Sequence, residues 1–369
     1  MHLVVDLVDP FHGGSHRAWA EGWTATSAHR VRLHTLPAQA WRWRMRGAAT
    51  TLAPTLVDGA TKDGPPDVVV VSDMIDLGDL RARTMTTHSR VPMVLYLHEN
   101  QLTYPRRPDE PLDAGLAWIT WRNLTLADEI WCNSAFHRDE LLGALPAFLE
   151  AVPDHDHSHL LAGVAARMRV RHPGVDLPAS RSRHDPPLVL SNQRWHDDKD
   201  VESVVRAMIR LADDGVVFRA AVIGDHEGGH AEVIDPLLDR LGDRVVARGH
   251  QTRARYEELV GESDVVVSAA RTEFFGIAVV EAVGAGAVPV LPHDVAYPEV
   301  VPSAYHASVL YERGDLRRAL AATLADLERH RVAVEGLAES MGRFSWEVVA
   351  PDYDRALEGL AGSRRSGDH

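Results

Sequence analysis

The feature that most constrains this chain is an alternation, kept up through both halves, of short β-branched runs with helix-patterned segments. The first half carries "HLVVDLV", "VRLHTL", "DVVVVSD", "PMVLYLH" and "EIWCNS"; the second carries "PLVLSNQ", "FRAAVIGD", "RVVARGH", "DVVVSAA" and "AVPVLP". Near-continuous Val, Ile and Leu runs suit strands buried on both faces of a parallel sheet. Between them lie helix patterns such as "GLAWITWRNLTLAD" and "AFHRDELLGALPAFLEA". After "PLVLSNQ", Val201, Val204, Val205, Met208, Leu211 and Ala212 fall on one helical face. Two runs of β-α units predict an α/β chain of two doubly wound, Rossmann-like domains. The aperiodic stretch "VRHPGVDLPASRSRHDPP" reads as the linker between them. The predicted division is 1–180, 181–345, and a C-terminal helix and tail over 346–369, with "GSRRSGDH" expected to be disordered. Loops at the carboxyl ends of the strands should carry the chemistry and line a central cleft.

Composition narrows the setting. One cysteine, Cys132, forms neither an internal disulfide nor a thiolate-rich zinc site, which fits a reducing cytoplasm. "MHLVVDLVDP" has an acid inside a short apolar run and reads as a first strand, not a signal peptide. No apolar run reaches membrane-spanning length, so no membrane partner is expected. A formal net charge of -14 argues against non-specific nucleic-acid binding over the whole surface, though not against a local basic patch.

In the second half, "TEFFGIAVVEA" follows the strand "DVVVSAA" and opens a helix. The spacing puts Glu273 in the loop and Glu281 about one turn into the helix, with the amides of Phe275, Gly276 and Ile277 at its N-terminus. Free amides and the helix dipole make an anion site there, and Gly276 lets a ligand approach the backbone. The plainer alternative is a helix start with acids near its positive end. "NQRWHDDKD" adds Arg194 and Lys199 on another post-strand loop, a pair suited to a diphosphate. Alternatively they pair with Asp197, Asp198 or Asp200, and Asp200 only caps the next helix.

In the first half, "DPFHGGSH" places Gly13-Gly14 after the first strand, where an amide can reach a ligand or simply make a tight turn. "YLHENQLTYP" puts His98, Glu99, Asn100 and Gln101 consecutively at a strand's carboxyl end, a dense set of donors and acceptors suited to sugar hydroxyls. "WRWRMRG", Trp41 to Gly47, alternates large apolar and basic residues. It is a half-buried strand, an amphipathic segment with both tryptophans in the core, or a surface offering guanidinium forks and flat rings to phosphates and bases. "YPRRP", Tyr104 to Pro108, extends the basic rim.

Glu273-x7-Glu281 with Phe275-Gly276, preceded by the Arg194/Lys199 loop, resembles the retaining GT-B glycosyltransferases of the family 4 type. The resemblance implies a nucleotide sugar on the C-terminal domain, with Arg194 and Lys199 on its diphosphate and Glu281 on the ribose. It implies Glu273 facing the sugar, with the amides around Phe275, Gly276 and Ile277 and the Gly13-Gly14 loop also on the donor. His98 is implied beside the transferred sugar, and no metal or cofactor is implied. "FHGGSH", "LPAQAWRWRMRG", "YLHENQLTYP", "RWHDDKD" and "TEFFGIAVVEA…DVAYPEV", in this order, are similar to the tRNA-queuosine α-mannosyltransferases. That implies GDP-mannose as donor and queuosine in the tRNA anticodon as acceptor. The acceptor set expected is His12, Trp41, Arg42, Trp43, Arg44, Arg46, Glu99, Asn100 and Gln101, and the expected catalytic set is His98, Glu273, Arg194 and Lys199. The alternative is another sugar nucleotide with a small-molecule, glycan or lipid acceptor.

Overall fold

A computed structural model describes residues 2–106, 111–153, 155–181, 185–226 and 229–366. Arg107 and Pro108 of "YPRRP" and the last three residues of the tail lie outside the described residues. The chain forms two compact units, one of Met1–Val175 with Trp346–His369, the other of Asp176–Ser345. The last segment thus belongs to the first unit, and the second unit is an insertion in it.

The first unit is a six-stranded parallel sheet. Its strands are β1 (Val4–His12), β2 (Arg30–Pro37), β3 (Val68–Ser72), β4 (Met93–Leu97), β5 (Glu129–Cys132) and β6 (Met168–Val170), in the order β2-β1-β3-β4-β5-β6. The connecting helices are α1 (Gly14–Thr26), α2 (Trp41–Asp63), α3 (Leu77–His88), α4 (Ala114–Leu126), α5 (Ala135–Ala151) and α6 (Leu161–Arg167). Alternate residues of β3 and β4 serve opposite faces, as the period of two requires. Val69, Val71, Leu95 and Leu97 pack with Leu52, Leu56, Leu80, Trp121 and Leu145. Val68, Val70, Val94 and Tyr96 pack with Trp19, Trp23, Tyr353 and Leu357.

The C-terminal helix (Trp346–Ser366) therefore supplies much of one face, and it runs through most of "GSRRSGDH" against the expected disorder. Its first residue is clamped. A Cβ on Gly22 or on Gly174 would lie 2.2 Å from the Trp346 indole, so both positions need glycine. Asp354 then accepts from Ser27 Oγ and Ala28 N, each at 2.7 Å.

Beneath the sheet edge, fully buried Asp6 accepts from Arg32 Nε at 2.5 Å and Arg32 Nη2 at 3.0 Å. His34 Nε2 lies 3.2 Å and His88 Nε2 3.4 Å from the same carboxylate. Burial alone would raise this acid; the two histidines and Arg32 outweigh it and hold it well below the usual carboxylate range.

Two local readings need correction. β1 does not end at Val8 but continues through Asp-Pro-Phe-His, with an irregular register against β2 between Asp9 and His12. "WRWRMRG" is neither strand nor wholly core: it opens α2, with Met45 buried, Trp41 half-buried and Trp43 75% exposed.

The second unit repeats the scheme with β7 (Leu188–Ser191), β8 (Arg219–Ile223), β9 (Val245–Gly249), β10 (Val265–Val267), β11 (Val288–Pro292) and β12 (Leu310–Tyr311), ordered β12-β11-β10-β7-β8-β9 and all parallel. The helices that matter here are α7 (Val201–Asp213), α8 (His230–Asp239), α9 (Arg253–Glu262) and α10 (Ile277–Gly284). The expected apolar face of α7 is buried from Val201 to Leu211 against Val189, Val222 and Val267. Among the described residues, no helix is long and apolar enough to cross a membrane.

Candidate functional site

In the second unit the polar residues gather at the carboxyl ends of β7 and β10. β7 ends at Ser191, and the chain passes through buried Asn192 and Gln193 to exposed Arg194. Gly224 makes this path possible, because a Cβ there would lie 2.2 Å from the Gln193 carbonyl oxygen. Lys199 Nζ reaches across to the post-β10 loop, donating to Thr272 O at 2.7 Å and Glu273 Oε2 at 3.0 Å; Asp198 Oδ2 is at 3.3 Å. Lys199 thus does pair with Asp198, as the plainer reading allowed, but it also joins the two loops. Burial would raise the Asp198 carboxyl; His196, Lys199 and Arg194 bring it down to about 2 instead. Asp200 takes the capping role toward Ser203 N and pairs with Arg271 at 2.8 Å.

Gly276 caps α10 from φ 100°, and a Cβ there would press on the Tyr297 ring at 3.2 Å and Glu273 Cγ at 3.4 Å. The amides of Ile277 and Ala278 stand at the open first turn. The Phe275 ring is buried, edge-on to Phe344 at 5.0 Å, so its side chain is packed away from a ligand. Glu281, 5% exposed, receives the Tyr256 hydroxyl and lies 3.4 Å from Arg253 Nη1. Burial raises its pKa; Tyr256 and Arg253 oppose that. Asn192 Nδ2 donates to Tyr256 Oη at 3.1 Å, and Gln193 Nε2 donates to Tyr297 Oη at 3.0 Å. Sequence reasoning missed these four orienting residues, since single Tyr, Asn and Gln residues carry no spacing signal. The result is a cation, a helix start and two carboxylates within one pair of loops, which can neutralise a diphosphate and accept from hydroxyls.

The first unit holds a second polar cluster, at the ends of β1, β3 and β4. Asp9, fully buried, accepts from Ser72 Oγ at 3.0 Å and faces His12 Nδ1 at 2.8 Å and His16 Nδ1 at 3.3 Å. The His16 and His98 ring centroids are 3.9 Å apart, and His98 also packs on Trp19 and Tyr96. Burial works against a charge on His16, but Asp9, then Asp73 and Glu99, raise its pKa. Burial and the charge on His16 drive His98 well below the ordinary imidazole range, so His98 is neutral. Its Nε2 is buried with no hydrogen-bond partner among the described residues, while Asn133 Nδ2 donates to its carbonyl at 2.9 Å. Asp9, His16 and Asp73 escaped the sequence reading, because His16 lies in a helix, Asp9 inside β1 and Asp73 directly after β3.

The other predicted residues divide by role. Glu99 N donates to Asp73 Oδ2 at 3.0 Å, and Gln101 Nε2 donates to Glu99 Oε1 at 3.3 Å. Asn100 is turned inward. Its Oδ1 accepts from Leu102 N and Thr103 N, and its Nδ2 donates to Thr103 Oγ1 and to His137, kept neutral by burial that lowers it to about 3. It shapes the loop. Gly13 is extended, with no room for a Cβ beside Ala38, and Gly14 begins α1 at φ 51°.

On α2, the Arg42 guanidinium lies 4.4 Å from the Trp41 ring centroid, Arg44 Nη2 donates to Pro37 O at 3.2 Å, and Arg46 pairs with Asp113 at 2.9 Å. Met45 of the same turns walls a small pocket with Asp73, Glu99, Asn100, Gln101 and Thr120.

Comparison with known proteins follows the same division. Residues 4–175 match the family described as tRNA-queuosine alpha-mannosyltransferase N-terminal, and residues 176–343 match glycosyl transferases group 1. A tRNA-queuosine alpha-mannosyltransferase of Drosophila melanogaster is 26% identical over 318 residues, 82% of each chain. Sucrose-phosphate synthase from Thermosynechococcus elongatus superimposes with a TM-score of 0.74 at 15% identity, covering 98% of this chain and 99% of that one. The catalytic domain of starch synthase IV from Arabidopsis thaliana, bound to ADP and acarbose, gives 0.71 at 12% identity, covering 98% and 100%. With a GT-B fold and both halves matched, the chain is a glycosyltransferase whose first half is similar to the tRNA-queuosine alpha-mannosyltransferase N-terminal family and whose second half is similar to the group 1 glycosyl transferases.

Proposed function

We propose that this glycosyltransferase transfers mannose, with retention, from GDP-mannose to queuosine in the anticodon of tRNA. The observation that carries the acceptor side is Trp43, 75% exposed on a helix start whose Met45 walls the pocket of Asp73, Glu99 and Gln101. A ring held in water on a helix turn that also carries basic side chains suits an unpaired base with phosphates around it. The Drosophila relative's name supports the same acceptor and sugar.

On the donor side, Arg194, Lys199 and the α10 amides hold the diphosphate, Glu281 the ribose and Glu273 the sugar hydroxyls. The acceptor oxygen forms its bond to C1 on the face from which the C1–O bond to phosphate breaks, and its proton passes to the departing phosphate oxygen. The enzyme contributes position and fixed positive charge, without metal or covalent intermediate. A tRNA acceptor and a lone cysteine fit a cytoplasmic site of action.

The test is a screen of sugar nucleotides against tRNA with and without queuosine, with and without EDTA, read by mass spectrometry of the nucleosides. A hexose gain on queuosine, from GDP-mannose and insensitive to EDTA, is expected. Transfer to no tRNA with any donor overturns the acceptor; loss on chelation overturns the metal-free mechanism.

A further inference from the structure

We infer that Asp73 is the specificity residue of the acceptor pocket, its free carboxylate oxygen receiving a hydroxyl of a vicinal diol. The inference rests on the proposed tRNA-queuosine reading and names the group that recognises the acceptor's cyclopentenediol.

The position comes from topology. In the order β2-β1-β3-β4-β5-β6, successive strands leave β1 in opposite directions, so the point where the winding reverses lies between β1 and β3. Ligands of doubly wound sheets bind outside the carboxyl ends of strands at such a point. Asp73 directly follows β3 and faces the pocket walled by Met45, Glu99, Gln101 and Thr120.

The chemistry comes from an incomplete hydrogen-bond count. Asp73 is 7% exposed. Its Oδ2 accepts from Glu99 N at 3.0 Å, but its Oδ1 is buried with no partner among the described residues. A buried acceptor without a donor is costly, and a carboxylate oxygen more so than most. The pocket walls offer it no Lys or Arg: the charges that act on it are the acid Glu99 and the histidine His16. Burial, reinforced by Glu99 and opposed by His16, raises the Asp73 carboxyl to about 7. A donor from the ligand completes the count. The same pocket already contains a bond that a second hydroxyl can replace, the 3.3 Å contact from Gln101 Nε2 to Glu99 Oε1. The pocket, about 10 Å³, has room for one hydroxyl on the open Asp73 oxygen, and the adjacent hydroxyl of a diol then meets Glu99 in place of its long bond from Gln101. A site that hydrogen-bonds a substrate hydroxyl strongly rejects the analogue lacking it.

The test compares Asp73→Asn with wild type, after thermal melts of both, for binding to three forms of one tRNA. The wobble base is queuosine, its aminomethyl-deazaguanine analogue without the cyclopentenediol, or guanine. Wild type should favour queuosine over both others. In Asp73→Asn that preference should shrink by about 10- to 100-fold, the scale of hydrogen bonds to a charged group, while affinity for the other two forms stays the same. Should Asn fail to fold, Asp73→Ser replaces it. A variant that keeps the wild-type preference overturns the inference and leaves the function standing. An equal loss on the aminomethyl base also overturns it, since the amine rather than the diol would then be the partner. A wild-type protein that neither prefers nor glycosylates queuosine tRNA overturns both.

Discussion

Replacing Trp43 with Ala is expected to weaken tRNA binding while leaving the fold intact. The ring is 75% exposed, so its removal should change folding stability by no more than about 0.5 kcal/mol, as at other open surface sites. A base stacked on an aromatic ring is worth about 1–3 kcal/mol by alanine substitution. That converts to a roughly 5- to 150-fold rise in Kd. Trp41 cannot give so clean a result, because it is half-buried against Met45, Met74, Leu116 and Ile119, and truncating it opens a cavity. The assay is a titration of labelled tRNA at several salt concentrations, alongside thermal melts. The slope of log Kd against log salt should match wild type, since no charge is removed. An unchanged Kd at every salt concentration, with an unchanged melt, refutes the stacking role and with it the geometric support for an RNA acceptor.

Arg42→Ala should flatten that salt slope by ~0.7–0.9, the value for one phosphate no longer neutralised; Arg44→Ala and Arg46→Ala should each flatten it less, because Arg44 is tied to Pro37 O and Arg46 to Asp113. Lys199→Ala should lower kcat by about 10²- to 10³-fold, the scale for removing a charged group that stabilises the transition state, and single-turnover kinetics will show it. Glu281→Ala should mainly raise the donor Kd and Glu273→Ala mainly slow transfer, since only the sugar changes charge in the reaction; calorimetry and kinetics would expose the reverse pattern. Asp6→Asn should cost about 3 kcal/mol by leaving half-buried Arg32 without its acid, measured by urea unfolding. Because the folded Asp6 carboxyl is depressed, its stabilisation is present above about pH 4 and is lost as pH falls below that, so the variant should show a shallower acid limb.

The legible part of the fold was the part written in runs. Ten strands announced themselves as Val, Ile and Leu clusters, and α5 runs over the very stretch, Ala135–Ala151, that its pattern marks. Two of the four edge strands did not: β6 is Met168–Val170 and β12 is Leu310–Tyr311, too short to leave a run and half-covered, so no burial pattern betrays them. β1 was cut short at Asp9-Pro10, which look like a turn, although an acid can sit inside a strand once Ser72 and two histidines satisfy it. In the second unit, motif spacing put Glu273 and Glu281 where the structure has them, because a loop leading into a helix is a local geometry. In the first unit, Asp9, His16 and Asp73 meet only through the order of the strands, which no local spacing encodes. Trp43 shows the same limit from the other side. Alternation of apolar and basic residues looked like period two, yet on a helix it throws Met45 inward and Trp43 out.

The C-terminal helix has a consequence for how the protein is made. Trp346, Tyr353 and Leu357 cover one face of the first unit's sheet, and Gly22 and Gly174 wait for the Trp346 ring. All of these aromatic and aliphatic partners but the last helix leave the ribosome early. Residues 176–345 must then be synthesised before Trp346 emerges, which at bacterial and eukaryotic translation speeds takes roughly 10–30 s. For that interval Val68, Val70, Val94 and Trp131 have Trp19 and Trp23 of α1 as cover but lack Tyr353 and Leu357. The usual order, in which the N-terminal domain finishes first, is reversed: the inserted unit can complete its core while the flanking one still lacks its last piece. Nascent chains stalled short of Trp346 should therefore be substrates for holding chaperones, and release of the final helix should end that dependence.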